Sequence, residues 1–406
     1  MIWSISWRNI WRSRVRSIVI LSAIALGLFA GVYSVAFMVG WVNQRVDNII
    51  ATESSHIQIH HPEYLKSNDV KDYIANINDI RKKVENEPEV KAAAERVIVN
   101  AMVSSAETGS GIQLIGVEPE KEMQVTDLHE KIIKGSYLNQ EHSNQIVIGE
   151  ALAKKLKVKV KSKIVITLTE MDGTLTGGSF RVSGIFKTAN TAYDEMKAFV
   201  KADDLRDLIR INENSGHEVA ILLNKNDTEE RVAQNLKGSL TDVDVKTWSE
   251  LMPEMQMMNE NMDFMMYFFV GIILLALGFG IVNTMLMVIL ERVKELGMLM
   301  AIGMNRKRIF GMIMLETVLL SLTGGAIGIT LALIVTSITQ HTGIDLSLWA
   351  AGLNAYGFNS VIYPEIGLAS IIEITFLVMG IGVLAAIYPA RKAIKLNPAE
   401  AIKTDN

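Results

Sequence analysis

Four long apolar runs, at residues 18–42, 265–290, 309–338 and 366–388, constrain this chain more than any other feature. Each exceeds the roughly 20 residues that cross a bilayer as a helix. The second carries no charged residue, and the third only Glu316. Between them lies ERVKELGMLMAIGMNRKR, residues 291–308. That segment is too short to be a domain. It is expected to be a helical connection on one face of a membrane, suited to receive a push from another protein. A mean hydropathy of +0.25 with 21% charged residues fits a membrane part joined to a substantial soluble part. The chain has no cysteine, which excludes disulfides, thiolate metal sites and cysteine nucleophiles.

Lys and Arg in the flanks set the expected orientation. Arg8, Arg12, Arg14 and Arg16 precede the first run. Arg292, Lys294, Arg306, Lys307 and Arg308 lie between the second and third, and Arg391, Lys392, Lys395 and Lys403 follow the fourth. The 339–365 loop has no Lys or Arg. Both termini and the 291–308 connection are therefore expected in the cytoplasm, with 43–264 and 339–365 outside. Ser34-Val35-Ala36 resembles a signal cleavage site, but an uncharged run of about 25 residues suits a retained helix better. In residues 1–17, Trp3, Trp7 and Trp11 share a helical face beside an Arg stripe, the pattern of an amphipathic helix lying at the membrane surface.

The outer segment reads as α+β. Strand–helix–strand patterns at its two ends (56–61, 70–87 and 97–104; 218–223, 228–240 and 243–247) suggest one subdomain from 43–104 plus 217–264. Strands and Gly turns over 105–216 suggest an inserted second subdomain. The expected fold class is thus membrane α-helical, with four transmembrane helices and a large α+β periplasmic domain between the first two.

No Gly-Lys dipeptide occurs, so the chain has no phosphate-binding loop of the G-x-x-x-x-G-K-[ST] type. If ATP drives it, another chain hydrolyses the ATP. No catalytic residue is assigned. His56, His60 and His61 sit in a strand pattern without an acidic or thiol cluster, and read as strand-edge polar residues rather than a metal site. Two acids inside spans, Glu316 and Glu373, need protein or water partners. The Arg/Lys cluster at 306–308 is the expected partner of Glu316, and for both acids snorkelling or helix–helix bonding is expected rather than a proton pathway. Small residues at Ala23, Gly27 and Gly31, and at Ser321, Gly324, Gly325 and Gly328, mark faces where helices can approach closely.

Several motifs together carry a resemblance. Glu291-Arg292, Glu295-Leu296-Gly297, Leu299-Met300-Ala301-Ile302-Gly303 and Arg306-Lys307-Arg308-Ile309 resemble the FtsX-like permease domain of the MacB-type ABC transporter superfamily. So do Tyr388-Pro389-Ala390-Arg391-Lys392-Ala393 and Leu396-Asn397-Pro398-Ala399-Glu400-Ala401. Within it, Trp7-Arg8-Asn9-Ile10-Trp11-Arg12, the strand near residues 57–62 and residues 113–118 look most like lipoprotein-releasing permeases of the LolC/LolE kind. Met300 departs from a basic residue common in the family.

The resemblance implies a multi-pass protein of the bacterial inner membrane, in contact with membrane lipids. It works with a cytoplasmic ABC ATPase dimer and a second permease copy, identical or paralogous. A lipoprotein substrate and a periplasmic carrier or adaptor are implied as further partners, and nucleic acid is not. ATP and Mg are held by the ATPase, and this chain binds no cofactor or metal. Glu291, Arg292, Glu295, Leu296, Gly297, Leu299, Ala301, Ile302 and Gly303 are expected to couple to the ATPase. Of these, Leu296, Leu299 and Ile302 would fill its groove. An acyl groove for substrate is expected from Phe37, Met38 and Trp41 facing Met262, Met265, Met266, Phe268 and Phe269, although lipid contact and helix packing account for the same residues. The alternatives in the superfamily are efflux of drugs or peptides from the periplasm, and FtsX-like signalling to a periplasmic partner.

Overall fold

The computed structural model describes residues 14–395, apart from Glu141 and Asp227. The expected surface helix over 1–17 falls outside the described residues for all but its last turn, and the 396–401 motif lies outside them entirely. The chain divides into two compact units. One holds residues 1–42, 260–345 and 361–406, the other 43–259 and 346–360.

The four spans are helices Arg14–Asn48, Met262–Glu291, Arg306–Thr342 and Leu368–Ile394, which lie in the first unit apart from residues 43–48 of the first helix. The fourth continues through Pro389 to Ile394. Ile24, Leu28, Val32, Ile281 and Ile309 are at most 1% exposed and form its core. Phe279 and Phe376 stay more than 70% exposed. Helices this apolar on their outer faces are solvated by lipid rather than water.

Glycine sets the closest approach. A Cβ on Gly324 would lie 3.0 Å from the Leu21 carbonyl oxygen, and one on Gly328 only 2.6 Å from that of Ala25. The third span thus packs backbone to backbone on the first. Gly27 and Gly31 serve other neighbours, Leu277 of the second span and Ile374 of the fourth. Since the obstacle at Gly328 is backbone, it cannot swing aside. Gly328→Val is expected to cost about 1–3 kcal/mol through overpacking, and to lower the melting temperature of the purified chain in detergent. An unchanged melting temperature would show that this crossing is looser than described.

Glu373 and Tyr267 bond between the fourth and second spans, with the phenol donating at 2.6 Å. Of the two readings for that acid, snorkelling and helix–helix bonding, this is the second. Glu316 is different. Its carboxylate accepts from Arg292 Nη1 at 3.1 Å, not from the 306–308 cluster. Residues 306–308 share a helix with Glu316, and eight residues of helix separate Arg308 from it by roughly 12 Å.

The second unit is built on a ten-stranded sheet. Its strands are β1 Ile57–His60, β2 Val90–Ser104, β3 Gly109–Val117, β4 Ile132–Gly135, β5 Gln145–Gly149, β6 Lys163–Thr169, β7 Leu175–Phe186, β8 Lys197–Lys201, β9 Glu218–Leu223 and β10 Asp244–Thr247. The order β10-β1-β9-β2 makes an open antiparallel sheet, covered by helices Ile77–Glu85 and Glu229–Ser239. The pairings β2–β3–β8–β5–β7–β6 then return to β2 and close a ring. Its core holds Leu114, Ile146, Ile148, Ile166, Phe180 and Val200. The 15-residue β2 belongs to both parts: Val90–Arg96 pairs with β9, and Arg96–Ser104 with β3. The long helix expected over 70–87 is shorter, Ile77–Glu85. Asn76 takes a left-handed conformation just before it, and Ile74–Ala75 pairs with Ser215–Gly216.

Where β2 passes from one part to the other, Glu95 and Arg96 point to opposite faces. Arg96 is fully buried and donates to Glu122 at 2.7 and 3.1 Å and to Glu218 at 2.6 Å. Glu95 accepts from Arg81 at 3.0 Å and from Arg206 at 3.2 Å. The pair therefore ties helices Ile77–Glu85, Pro119–Val125 and Ala202–Ile209 to the strand junction.

The histidines do not converge on a common point. His56 accepts from the Leu223 amide at 3.2 Å and lies 3.0 Å from Asn226 Oδ1. His60 lies 3.2 Å from the His217 carbonyl and stacks on Tyr64. His61 meets Asp72 at 3.8 Å. Burial holds His56, His60 and His217 below their ordinary value of 6.5, outweighing the Asn226 bond at His56, Glu218 at His60 and the Val70 carbonyl bond at His217.

The sign of the pH dependence follows. Above pH 6.5 these imidazoles are neutral in both folded and unfolded chains. Below it, the unfolded chain binds protons that the folded one cannot, so stability falls by up to about 1.4 kcal/mol per pH unit for each histidine. Asp194 acts oppositely. Burial raises its carboxyl to about 6, so it favours the folded state as pH falls below that value. Hydrogen-exchange protection of β1 and β9, corrected for intrinsic rates, is expected to fall between pH 7 and 6. Constant or rising protection over that interval would contradict this.

Candidate functional site

The connection between the second and third spans is one short helix, Val293–Ala301, between two breaks. Arg292 leaves helical geometry at φ −98°, ψ 13° and serves as both the end of one helix and the start of the next. At the far end Gly303 takes φ +99°, a conformation that disfavours other residues. The Met304 amide closes that turn on the Leu299 carbonyl at 2.9 Å. Asn305 then caps the third span by accepting from the Lys307 amide at 3.1 Å.

The short helix has two faces. On one, Leu296 is 2% exposed inside the four-helix core, Gly297 is buried, and Leu299 and Met300 pack against the same core. Arg292 fixes this face to the third span. Its guanidinium bonds Glu316 at 3.1 Å and Glu295 at 3.3 Å. On the other face Glu291, Lys294, Met298, Ala301, Ile302 and Gly303 are exposed. Met298 is 51% and Ile302 86% accessible. An apolar ridge flanked by charge, on a helix clamped to a span, can bind another protein and pass on a rigid displacement.

Of the residues expected to couple, Ile302 and Ala301 lie on the outward ridge, while Leu296 and Leu299 face the chain's own core. Arg292 and Glu295 belong to the ion-pair clamp. Met298 was not singled out in the sequence, although its place four residues before Ile302 puts it on the same face.

The residues expected to hold acyl chains are dispersed in character. Phe37 and Trp41 have ring centroids 6.2 Å apart, and Met38 is half-buried beside them in sequence. Met265, Phe268 and Phe269 point outward, with the two phenyl rings edge to face at 6.0 Å. Met262 is half-buried, and Met266 is 5% exposed within the helical core.

Residues 17–239 match the family model of the MacB-like periplasmic core domain, and residues 267–398 that of the FtsX-like permease C-terminal domain. The second match contains the whole connection. Over 400 residues the chain is 21% identical to the lipoprotein-releasing system transmembrane protein LolC of Neisseria meningitidis serogroup B, spanning 95% of this chain and 94% of that protein. Over 128 residues it is 34% identical to the macrolide export ATP-binding/permease protein MacB of Neisseria gonorrhoeae, covering 32% of this chain and 17% of that protein. Among solved structures, the periplasmic region of MacB from Actinobacillus actinomycetemcomitans aligns with 52% of this chain and 97% of that one, at 11% identity and a TM-score of 0.36. With the core-domain match covering more than half of its length and the permease match most of the remainder, the chain belongs to the MacB-type family of ABC transporter permeases with an FtsX-like permease domain.

Proposed function

We propose that this chain is the permease subunit of a transporter that extracts lipoproteins from the bacterial inner membrane, powered by a separate ATPase. The observation that carries the mechanical part is the clamped helix Val293–Ala301 with its outward Met298–Ile302 ridge. ATP binding closes the ATPase, which pushes on this ridge from the cytoplasm. The Arg292–Glu316 bond ties the short helix to the third span, so both adjoining spans move with it. The periplasmic α+β domain is the load. Chemistry on ATP and Mg stays with the ATPase, in keeping with the missing phosphate loop.

Support for lipoprotein release comes from the alignment with LolC, which runs along 95% of this chain. The alignment with MacB covers 128 residues, while residues 17–239 also match the MacB-like core domain, so efflux by the same machine is the alternative reading. Acyl chains would lie against the outward Met265, Phe268 and Phe269, where each buried CH₂ contributes about 0.8 kcal/mol. A second permease copy completes the machine. The division of labour is tested by ATP turnover. The purified chain alone is expected to show none, and the complex with its ATPase to hydrolyse ATP at a rate that responds to substrate. Hydrolysis by the chain alone, free of any ATPase subunit, would contradict the reading.

A further inference from the structure

A cavity of about 250 Å³ opens at the beginning of the α+β unit. Two ammonium groups, Lys131 and Lys187, and three amides, Asn48, Asn354 and Asn359, face it. The one carboxylate there, Glu53, is already engaged, accepting from Arg45 at 2.6 Å and from Asn190 at 3.1 and 3.2 Å. Lys131 lies 3.1 Å from Asp127. Lys187 shares Glu150, at 3.1 Å, with Lys154 at 2.9 Å, so two cations divide one anion. Asn48 Nδ2 is buried and has no hydrogen-bond partner. The cavity thus carries donors and positive charge, its one carboxylate is engaged, and one buried donor is left without an acceptor. A buried unpaired donor costs free energy that an incoming acceptor would recover.

A phosphoryl group fits this description. It brings several strong acceptor oxygens and negative charge, and two lysines with amide donors are a common way of holding it. The position of Asn48 suggests where the phosphate comes from. It ends the helix Arg14–Asn48 six residues beyond Val42, which is roughly 9 Å further along the axis. The polar headgroup layer of a leaflet is about 5–8 Å thick. We propose that this cavity is a phosphate site that takes the phosphodiester of a membrane phospholipid. Such a headgroup would brace the end of the first helix, the Lys131 and Lys187 loops and the 354–360 loop through one anion. The inference goes beyond the transport reading and does not depend on it.

The test uses the full chain, delipidated in detergent and examined by native mass spectrometry. Three probes are added separately: phosphatidylglycerol, a diacylglycerol with the same tails, and soluble glycerol 3-phosphate. Phosphatidylglycerol is expected to bind well above diacylglycerol. The double variant Lys131→Met/Lys187→Met should weaken that binding about tenfold or more, and Asn48→Leu should weaken it too. Lys131→Arg/Lys187→Arg, which keeps both charges, should retain it and so separates loss of the site from loss of the fold. Glycerol 3-phosphate binding as tightly as the lipid would support the phosphate site while moving its source to a soluble ester. Equal binding of phosphatidylglycerol and diacylglycerol, or wild-type binding by the folded Met and Leu variants, would overturn the proposal.

Discussion

Replacing Met298 and Ile302 together by aspartate is expected to abolish assembly with the ATPase while leaving the permease folded. Both side chains are at least half exposed, so the chain loses little internal packing. Burying two such residues in a partner groove contributes about 1.5–3 kcal/mol each. Two carboxylates in the same groove add a desolvation penalty. The affinity should therefore fall by a factor of about 100 or more. Co-purification and ATP turnover report the loss, and the melting temperature of the permease controls for folding. Retained assembly would mean that the ATPase docks elsewhere. Gly297→Trp is a poorer probe of the same surface. Gly297 is buried on the inward face, so a bulky ring there would disturb the permease itself.

Arg96→Met should be the most damaging single change in the α+β domain. It leaves Glu122 and Glu218 buried, 1% and 6% exposed, without their cation. Breaking a buried pair in this way costs about 3–5 kcal/mol. Because Arg96 sits where β2 passes from the open sheet into the ring, the loss should spread to both parts. Hydrogen exchange should accelerate together in β9 and β3. Acceleration confined to one of them would show that the junction does not couple the two parts.

The membrane architecture was legible because a bilayer enforces it. Runs of more than 20 apolar residues admit few alternatives to a spanning helix. Strand alternation likewise revealed most of the sheet, including β6 and β9. Ring closure was not legible, since it depends on Ala101–Ser104 meeting Val165–Leu168, a long-range pairing that leaves no local periodicity. Helices Pro119–Val125 and Glu150–Leu156 were missed because seven residues hold too few turns to show a period.

The short connection shows both the reach and the limit of sequence reading. Its helix was readable; its break at Gly303 was not, since residues 291–308 were expected as one helical connection. Which apolar face meets the chain's own core, and which faces outward, was not, because Leu296 and Ile302 are equally apolar. The partner of Glu316 could have been found. Antiparallel helices joined by a short connection bring residues of similar depth together, and Arg292 follows directly on the second span.

The most direct test of the account is release of a triacylated lipoprotein. The permease and its ATPase are reconstituted in liposomes, and transfer of the lipoprotein to a soluble carrier is followed with and without ATP. The account predicts ATP-dependent transfer that disappears in the Met298→Asp/Ile302→Asp variant. No transfer by the intact complex, together with ATP-dependent protection of cells against a drug or peptide, would contradict lipoprotein release and point to efflux.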